Sequence, residues 1–165
     1  MISCKRLPLG SKLCIKGGLN MMYTQYAALD IAKYMVTKCA DDNQPISNLQ
    51  LQKILFYIQK EYIRNGLPLF GDLFEAWQFG PVIPRVYYSF CEYGSMKIIP
   101  IIPYQFDIDS NVRKIIDPII EEKRILDPWD LVNETHKPGG AWDITYNGGL
   151  GNRNIIPNRL IRTNG

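Results

Sequence analysis

Histidine is almost missing from this chain: its 165 residues include one, His136. The four cysteines, Cys4, Cys14, Cys39 and Cys91, form no C-x-x-C pair, and their spacings match no zinc or redox pattern. Structural zinc needs four ligands grouped together, and nothing here supplies that group. We therefore expect no metal and no cofactor, and four reduced thiols in a cytoplasmic protein. No apolar run approaches the roughly 18 residues that a membrane-spanning helix requires. The basic N-terminus has no hydrophobic leader region, because Pro8, Gly10, Lys12 and Lys16 interrupt it.

Catalytic signatures are scarce as well. A phosphate-cradling loop needs G-x-x-x-x-G-K-[ST] or G-x-G-x-x-G after a strand. Gly148-Gly149-Leu150-Gly151 is the nearest segment, and it lacks both the lysine and the following helix. A cysteine–histidine nucleophile pair would have to join His136 to Cys39 or Cys91. Cys39 falls on an apolar helical face, where cysteine usually acts as a small hydrophobe. Glu75 is a lone acid among aromatics, the setting of a hydrogen-bonded structural group more often than of a general acid. No enzyme constellation remains.

What is present is an ordinary globular composition, with 46% hydrophobic, 12% aromatic and 21% charged residues. The length fits one domain. The net charge of +3 is unevenly spread. Residues 1–20 carry four basic residues and no acid, and residues 144–165 carry three arginines and no acid. The body between them holds 12 basic against 16 acidic residues. Clustered Lys and Arg are the footprint of a nucleic-acid platform, so the acidic body argues against that partner.

Residues 1–20 show no clean period and are set off by Gly17-Gly18. They read as a flexible basic tail before a domain spanning 21–165. Met21 or Met22 offers an alternative start, which would make the tail an upstream extension. Ala28, Ile31, Ala32, Met35 and Cys39 repeat at helical spacing within 24–40. The second helix is better marked. Ser47 and Gln50 form a capping box, Leu51, Ile54, Leu55, Ile58 and Tyr62 make the apolar stripe, and Asn65-Gly66 stops it. Lys53, Gln59, Lys60 and Arg64 fall mainly on the other, polar side. Alternation through Leu73, Glu75 and Trp77 allows a short strand. A third helix is expected over about 82–93, with Pro81 and Pro84 in its first turn. Residues 97–102 read as an extended edge segment. A fourth helix covers 111–126, capped by Asp109 or Ser110, with Pro118 expected to kink or split it. A fifth runs from 128 to 136 behind Asp127 and Pro128, with a short turn near 157–162. The fold class is mainly α, a compact helical domain with a small β element.

His136 ends a helix, where it can cap the last carbonyls, pack internally or meet a partner. Trp77, Trp129 and Trp142 are either core or interface anchors.

Three blocks in order add to this picture. Leu51-Gln52-Lys53-Ile54-Leu55-Phe56-Tyr57 is followed by Ala76-Trp77, Gly80-Pro81-Val82 and Val86-Tyr87, and then by Thr135-His136 with Trp142. The succession resembles the Panacea domain, or SocA-like antitoxin domain, of phage-associated, GepA-like proteins. It extends over about residues 24–162. The resemblance implies a non-enzymatic antitoxin that neutralises a cognate protein toxin by direct contact, the toxin being encoded nearby. Some relatives are thought to present the toxin to a protease complex. The family pairs with unrelated toxins, so the toxin's chemistry is not inherited from the match. On this reading the candidate partner-contacting residues are Trp77, Arg85, Tyr87, His136 and Trp142. Gln50, Gln52 and Lys53 are secondary candidates along the polar side of the second helix. Two other classes compete. A small hydrolase would need a cleft holding a strongly perturbed Glu or His. A nucleic-acid-associated regulator would rest on the basic termini alone. A chain beginning at Met21 is expected to melt within a few degrees of the full chain; a large drop in Tm would show that residues 1–20 pack on the body.

Overall fold

The structure is a computed structural model that describes residues 26–105 and 107–165. The reading of residues 1–20 as a tail, and the question of the start, lie outside the described residues. So do Cys4 and Cys14.

The chain order is α1 (Ala28–Asp41), α2 (Asn48–Arg64), β1 (Glu75–Trp77), β2 (Gly80–Val82), α3 (Pro84–Ser89), α4 (Ser110–Arg124), α5 (Pro128–Thr135), α6 (Ala141–Tyr146) and α7 (Asn158–Asn164). Single 3-10 turns sit at Cys91–Tyr93 and Asn147–Gly149. Among the described residues, seven helices and one two-stranded sheet match the expected mainly α class.

The helix starts are chemically specified. At α2 the Ser47 hydroxyl accepts from the Gln50 backbone N–H, and the Gln50 carboxamide accepts from the Ser47 N–H, so the capping box forms. Asp109 caps α4 and Asp127 caps α5 through side-chain oxygens. Pro84 and Pro128 occupy first-turn positions, where no amide hydrogen is needed. The N-terminus of α1 is served from afar: the Ala28 N–H donates to Asp72 at 2.8 Å. Leu131, Val132 and Thr135 face inward on α5 as their spacing requires.

Several expectations need correcting. The third helix is shorter than 82–93, because Pro81 and Val82 belong to β2 and Gly94 ends the chain's turn with a positive φ. The edge reading of 97–102 holds only at Lys97, which makes one isolated bridge to Ser47; beyond it there is no strand, the outcome Pro100 allows, and Ile101 and Ile102 are exposed. Pro118 sits inside α4 without splitting it, on the exposed side of the helix. The short helix α6 was not anticipated, since six residues carry too little periodicity to read.

The main correction concerns α2. It lies at the centre and packs against α1, α3, α4, α5, α7 and β2. Its apolar stripe is buried as expected. Much of its expected polar side is buried too. Lys60 is half-buried and Arg64 exposed, whereas Gln50, Gln52, Lys53 and Gln59 are each at most 1% exposed. A buried polar group without a partner costs about 1–3 kcal/mol, so each of these must find one. Gln50 donates to the carbonyls of Arg124 and Leu126 beyond α4. Gln52 accepts from the Ile83 N–H and donates to Asn48, which in turn donates to the Tyr87 carbonyl. Gln59 accepts from the Leu69 and Phe70 amides and donates to the Phe70 carbonyl. Side chains here do what a neighbouring strand would do for irregular backbone.

Gln59→Leu keeps the volume and strands three backbone groups of residues 69 and 70. It should lower stability by about 2–4 kcal/mol, read as a shift of the urea midpoint at unchanged m-value. Gln44→Leu, at an exposed position, is the control and should stay within about 0.5 kcal/mol. Equal effects of the two would refute the stapling role.

Candidate functional site

Two consecutive α2 residues hold the hairpin. Gln52 takes the Ile83 amide, and Lys53 reaches the Pro81 carbonyl at 3.2 Å. Lys53 fits only because residue 80 is glycine. Gly80 has φ +101°, and a Cβ there would lie 2.8 Å from Lys53 Cε and 2.9 Å from both Lys53 Nζ and Thr135 Oγ1. The L-Q-K and G-P-V blocks are thus two halves of one contact. In β1–β2 the register pairs Trp77 with Gly80, leaving Gln78 and Phe79 at the tip. The free edge of β1 is covered by the chain near its end. Ala76 N–H donates to the Asn154 carbonyl, Arg153 N–H to the Ala76 carbonyl and Ile156 N–H to the Phe74 carbonyl.

Behind the hairpin sits a ring stack. The His136 and Trp142 rings are 3.6 Å apart and parallel within 1°, and Tyr146 stacks on the far face of Trp142 at 4.6 Å. Trp142 is buried, and its indole N–H donates to the Trp77 carbonyl at 2.8 Å. Burial, and then the charge of Lys53, push the His136 pKa down from its ordinary value. His136 Nε2 is buried without a hydrogen-bond partner. These two residues therefore brace the hairpin from inside.

In front of it lies an open cavity of about 540 Å³, lined among others by Gln52, Lys53, Trp77, Tyr87, Phe79 and Trp129. Two groups of aromatic contacts flank it. Trp77 lies 5.1 Å from Tyr87 and 6.2 Å from Tyr88, and Phe79 meets Trp129 edge-on at 5.4 Å. Phe79, Tyr88 and Trp129 are exposed by 48%, 56% and 55%, a large apolar display for so small a surface. Arg153 stacks over the Trp77 ring at 4.9 Å. Glu75 accepts from the Trp77 indole N–H at 2.8 Å, the structural role its sequence context favoured.

Of the sequence candidates, the cavity gathers Trp77, Tyr87, Gln52 and Lys53. His136 and Trp142 stand behind it. Gln50 is remote, occupied with Lys97 and the backbone after α4. Arg85 points out from α3 and does not line the cavity. Gln50, Gln52 and Lys53 do not form an exposed polar face, because neighbouring elements cover this part of α2. Phe79, Tyr88 and Arg153 were missed. A two-residue hairpin tip must expose its side chains, so Phe79 was readable once Trp77 and Gly80 were paired. Arg153 depends on a left-handed residue (φ +66°) that no sequence pattern announces. Among the described residues no group of His, Cys, Asp and Glu could hold a metal, and Cys39 and Cys91 are free thiols.

Lys53 makes a pH signature. Burial pushes its pKa from the ordinary 10.5 down to about 7. Between these values the unfolded chain holds a proton that the folded chain lacks, so stability rises with pH across that window. His136 is the titratable group whose charge couples to it. Relative to Lys53→Met, the wild-type protein should gain up to about 1.4 kcal/mol per pH unit between pH 7 and 10 in urea unfolding. A difference that stays flat over this range would contradict a neutralised buried lysine.

Residues 51–143 match the family described as Antitoxin SocA-like, Panacea domain. A curated relative, "Antitoxin SocA" from Caulobacter vibrioides (strain NA1000 / CB15N), is 36% identical over 131 residues, covering 72% of this chain and 69% of its own. No solved structure matches. The matched segment runs from the start of the α2 stripe through the hairpin to the His136–Trp142 stack, and the chain belongs to the SocA-like, Panacea domain family of antitoxins.

Proposed function

We propose that this protein neutralises a cognate protein toxin by direct binding, through the aromatic face around the hairpin tip. The observation that carries this reading is the exposure of Phe79 and Trp129, in edge-on contact at a concave site, with Tyr88 exposed against Trp77 nearby; Phe79 sits at the tip of a hairpin that α2 and Trp142 hold in place. Protein interfaces concentrate their energy in such aromatic and arginine anchors, and a rigid mount lowers the ordering cost of binding. Family membership supports the toxin as the class of partner. The absence of a catalytic constellation among the described residues fits a role that needs a surface. No helix among them is long and apolar enough to cross a membrane, which fits action on a toxin in the cytoplasm.

The reading refines the candidate set. Phe79, Trp129, Tyr88, Trp77, Tyr87 and Arg153 contact the partner; Trp142, His136, Gln52 and Lys53 position them. Delivery to a protease complex is an additional step. It is distinguished by the fate of the toxin, whose level falls with the antitoxin if delivery occurs and stays constant in a stable complex if binding suffices.

The test is co-expression with the product of a neighbouring gene. Wild-type protein should relieve the toxicity and co-purify with the toxin. Trp129→Ala and Phe79→Ala should each weaken the complex by roughly tenfold to thirtyfold, about 1.4–2 kcal/mol, at unchanged Tm, since both side chains are exposed. Trp142→Ala, by contrast, should lower Tm. A neighbouring product that is not toxic, or toxicity unrelieved with no complex, would overturn the proposal. Full rescue by the Trp129→Ala and Phe79→Ala double variant would move the interface elsewhere.

A further inference from the structure

The cavity carries charge of one sign. Lys53 and Arg153 line it, and no aspartate or glutamate does. This reverses the acidic balance of the body between residues 21 and 143. Lys53 is fully buried, its one hydrogen bond goes to a neutral carbonyl, and it joins none of the ion pairs among the described residues. Burial holds its ammonium down to about 7 with no carboxylate to offset the cost. Arg153 is exposed, and its guanidinium carbon lies over the Trp77 ring, 4.9 Å from the centroid. Its backbone is fixed there by the hydrogen bond from its N–H to the Ala76 carbonyl at 2.7 Å, in a left-handed conformation that costs energy for a non-glycine residue. A stacked guanidinium keeps its N–H edge open for a bidentate acceptor. The acid nearest in sequence, Glu75, is engaged by the Trp77 indole. Concave apolar walls focus the field of the Arg153 cation, and a carboxylate brought beside Lys53 favours its protonated form.

We propose that this cavity is a carboxylate anchor for the partner: an aspartate or glutamate of the bound protein meets Arg153 within the field of Lys53, while an adjacent apolar side chain packs among Trp77, Phe79 and Trp129. The identity of that partner as the toxin rests on the reading above; the anchor chemistry does not. The volume of about 540 Å³ suits a ligand-sized group of this kind. The overall acidity of the body and the cationic cavity then act on different parts of the partner, which fixes its register.

The three tryptophans make the test. Trp77 and Trp129 line the cavity, and Trp142 does not. In the full-length 15N-labelled protein, N-acetyl-Phe-Glu-amide should shift the Trp77 and Trp129 indole signals, with the Trp142 signal moving less. N-acetyl-Phe-Gln-amide should need about tenfold more peptide for the same shift. Arg153→Gln should bring the two peptides to within about twofold, and so should Lys53→Met. Arg153 is exposed, so its variant keeps the test intact even if Lys53→Met fails to fold. Equal binding of the two peptides, or no indole shift with either, overturns the anchor. So does inorganic phosphate alone reproducing the shifts, which would make the cavity a small-anion site. Toxin capture that persists in Arg153→Gln, alongside a pocket indifferent to charge, overturns the anchor and leaves the antitoxin reading standing. No toxin capture by the wild type, alongside a retained preference for the Glu peptide, does the reverse.

Discussion

A helix at the centre of a domain must satisfy every polar side chain it brings inside, and α2 brings five, Asn48, Gln50, Gln52, Lys53 and Gln59. Gln50, Gln52, Lys53 and Gln59 spend their hydrogen-bonding capacity on backbone groups of the segment after α4, the start of α3, the second hairpin strand and the loop at residues 69–70. Apart from Pro81 in β2 and Arg124 at the end of α4, these groups lie outside the helices and the sheet. The arrangement is costly to break, because removing one side chain strands backbone groups away from water. It also explains how a domain with one two-stranded sheet holds so much irregular backbone in place.

The hairpin depends on this constraint most directly. A hairpin of three-residue strands is marginal alone. Here its second strand is gripped by Gln52 and Lys53, its first strand is edged by residues 153–156, and Trp142 anchors it from behind. The tip is left free to show Phe79 beside Trp129 and to close a cavity under Trp77 and Tyr87. The interior is thus devoted to rigidity and the exterior to recognition. The buried Lys53 serves both, as the hairpin's clamp and as the amine behind the cavity that no carboxylate of the described residues partners.

Much of the fold was legible because its signals are local. The Ser47–Gln50 capping box, the Asp109 and Asp127 caps, and the inward set Leu131, Val132 and Thr135 are decided within one or two helical turns. The burial of Lys53 and Gln59 was not legible, because a lysine or glutamine reads as solvated unless its remote acceptor is known. Those acceptors, the Pro81 and Phe70 carbonyls, depend on tertiary placement. The site was half legible for the same reason. Trp77 and Tyr87 stand out as aromatic motif residues, whereas Arg153 reaches them only through a left-handed turn far along the chain. Trp129 and Trp142 were indistinguishable in sequence: one sits at the exposed start of α5, the other against His136.

Hydrogen–deuterium exchange on the protein with and without its bound toxin tests the central claim most directly. The account predicts new protection over residues 77–88, 128–132 and 152–154, with the α1 surface around Lys38 and Asp42 unchanged. Protection confined to that α1 surface, with the hairpin exchanging as in the free protein, would contradict it.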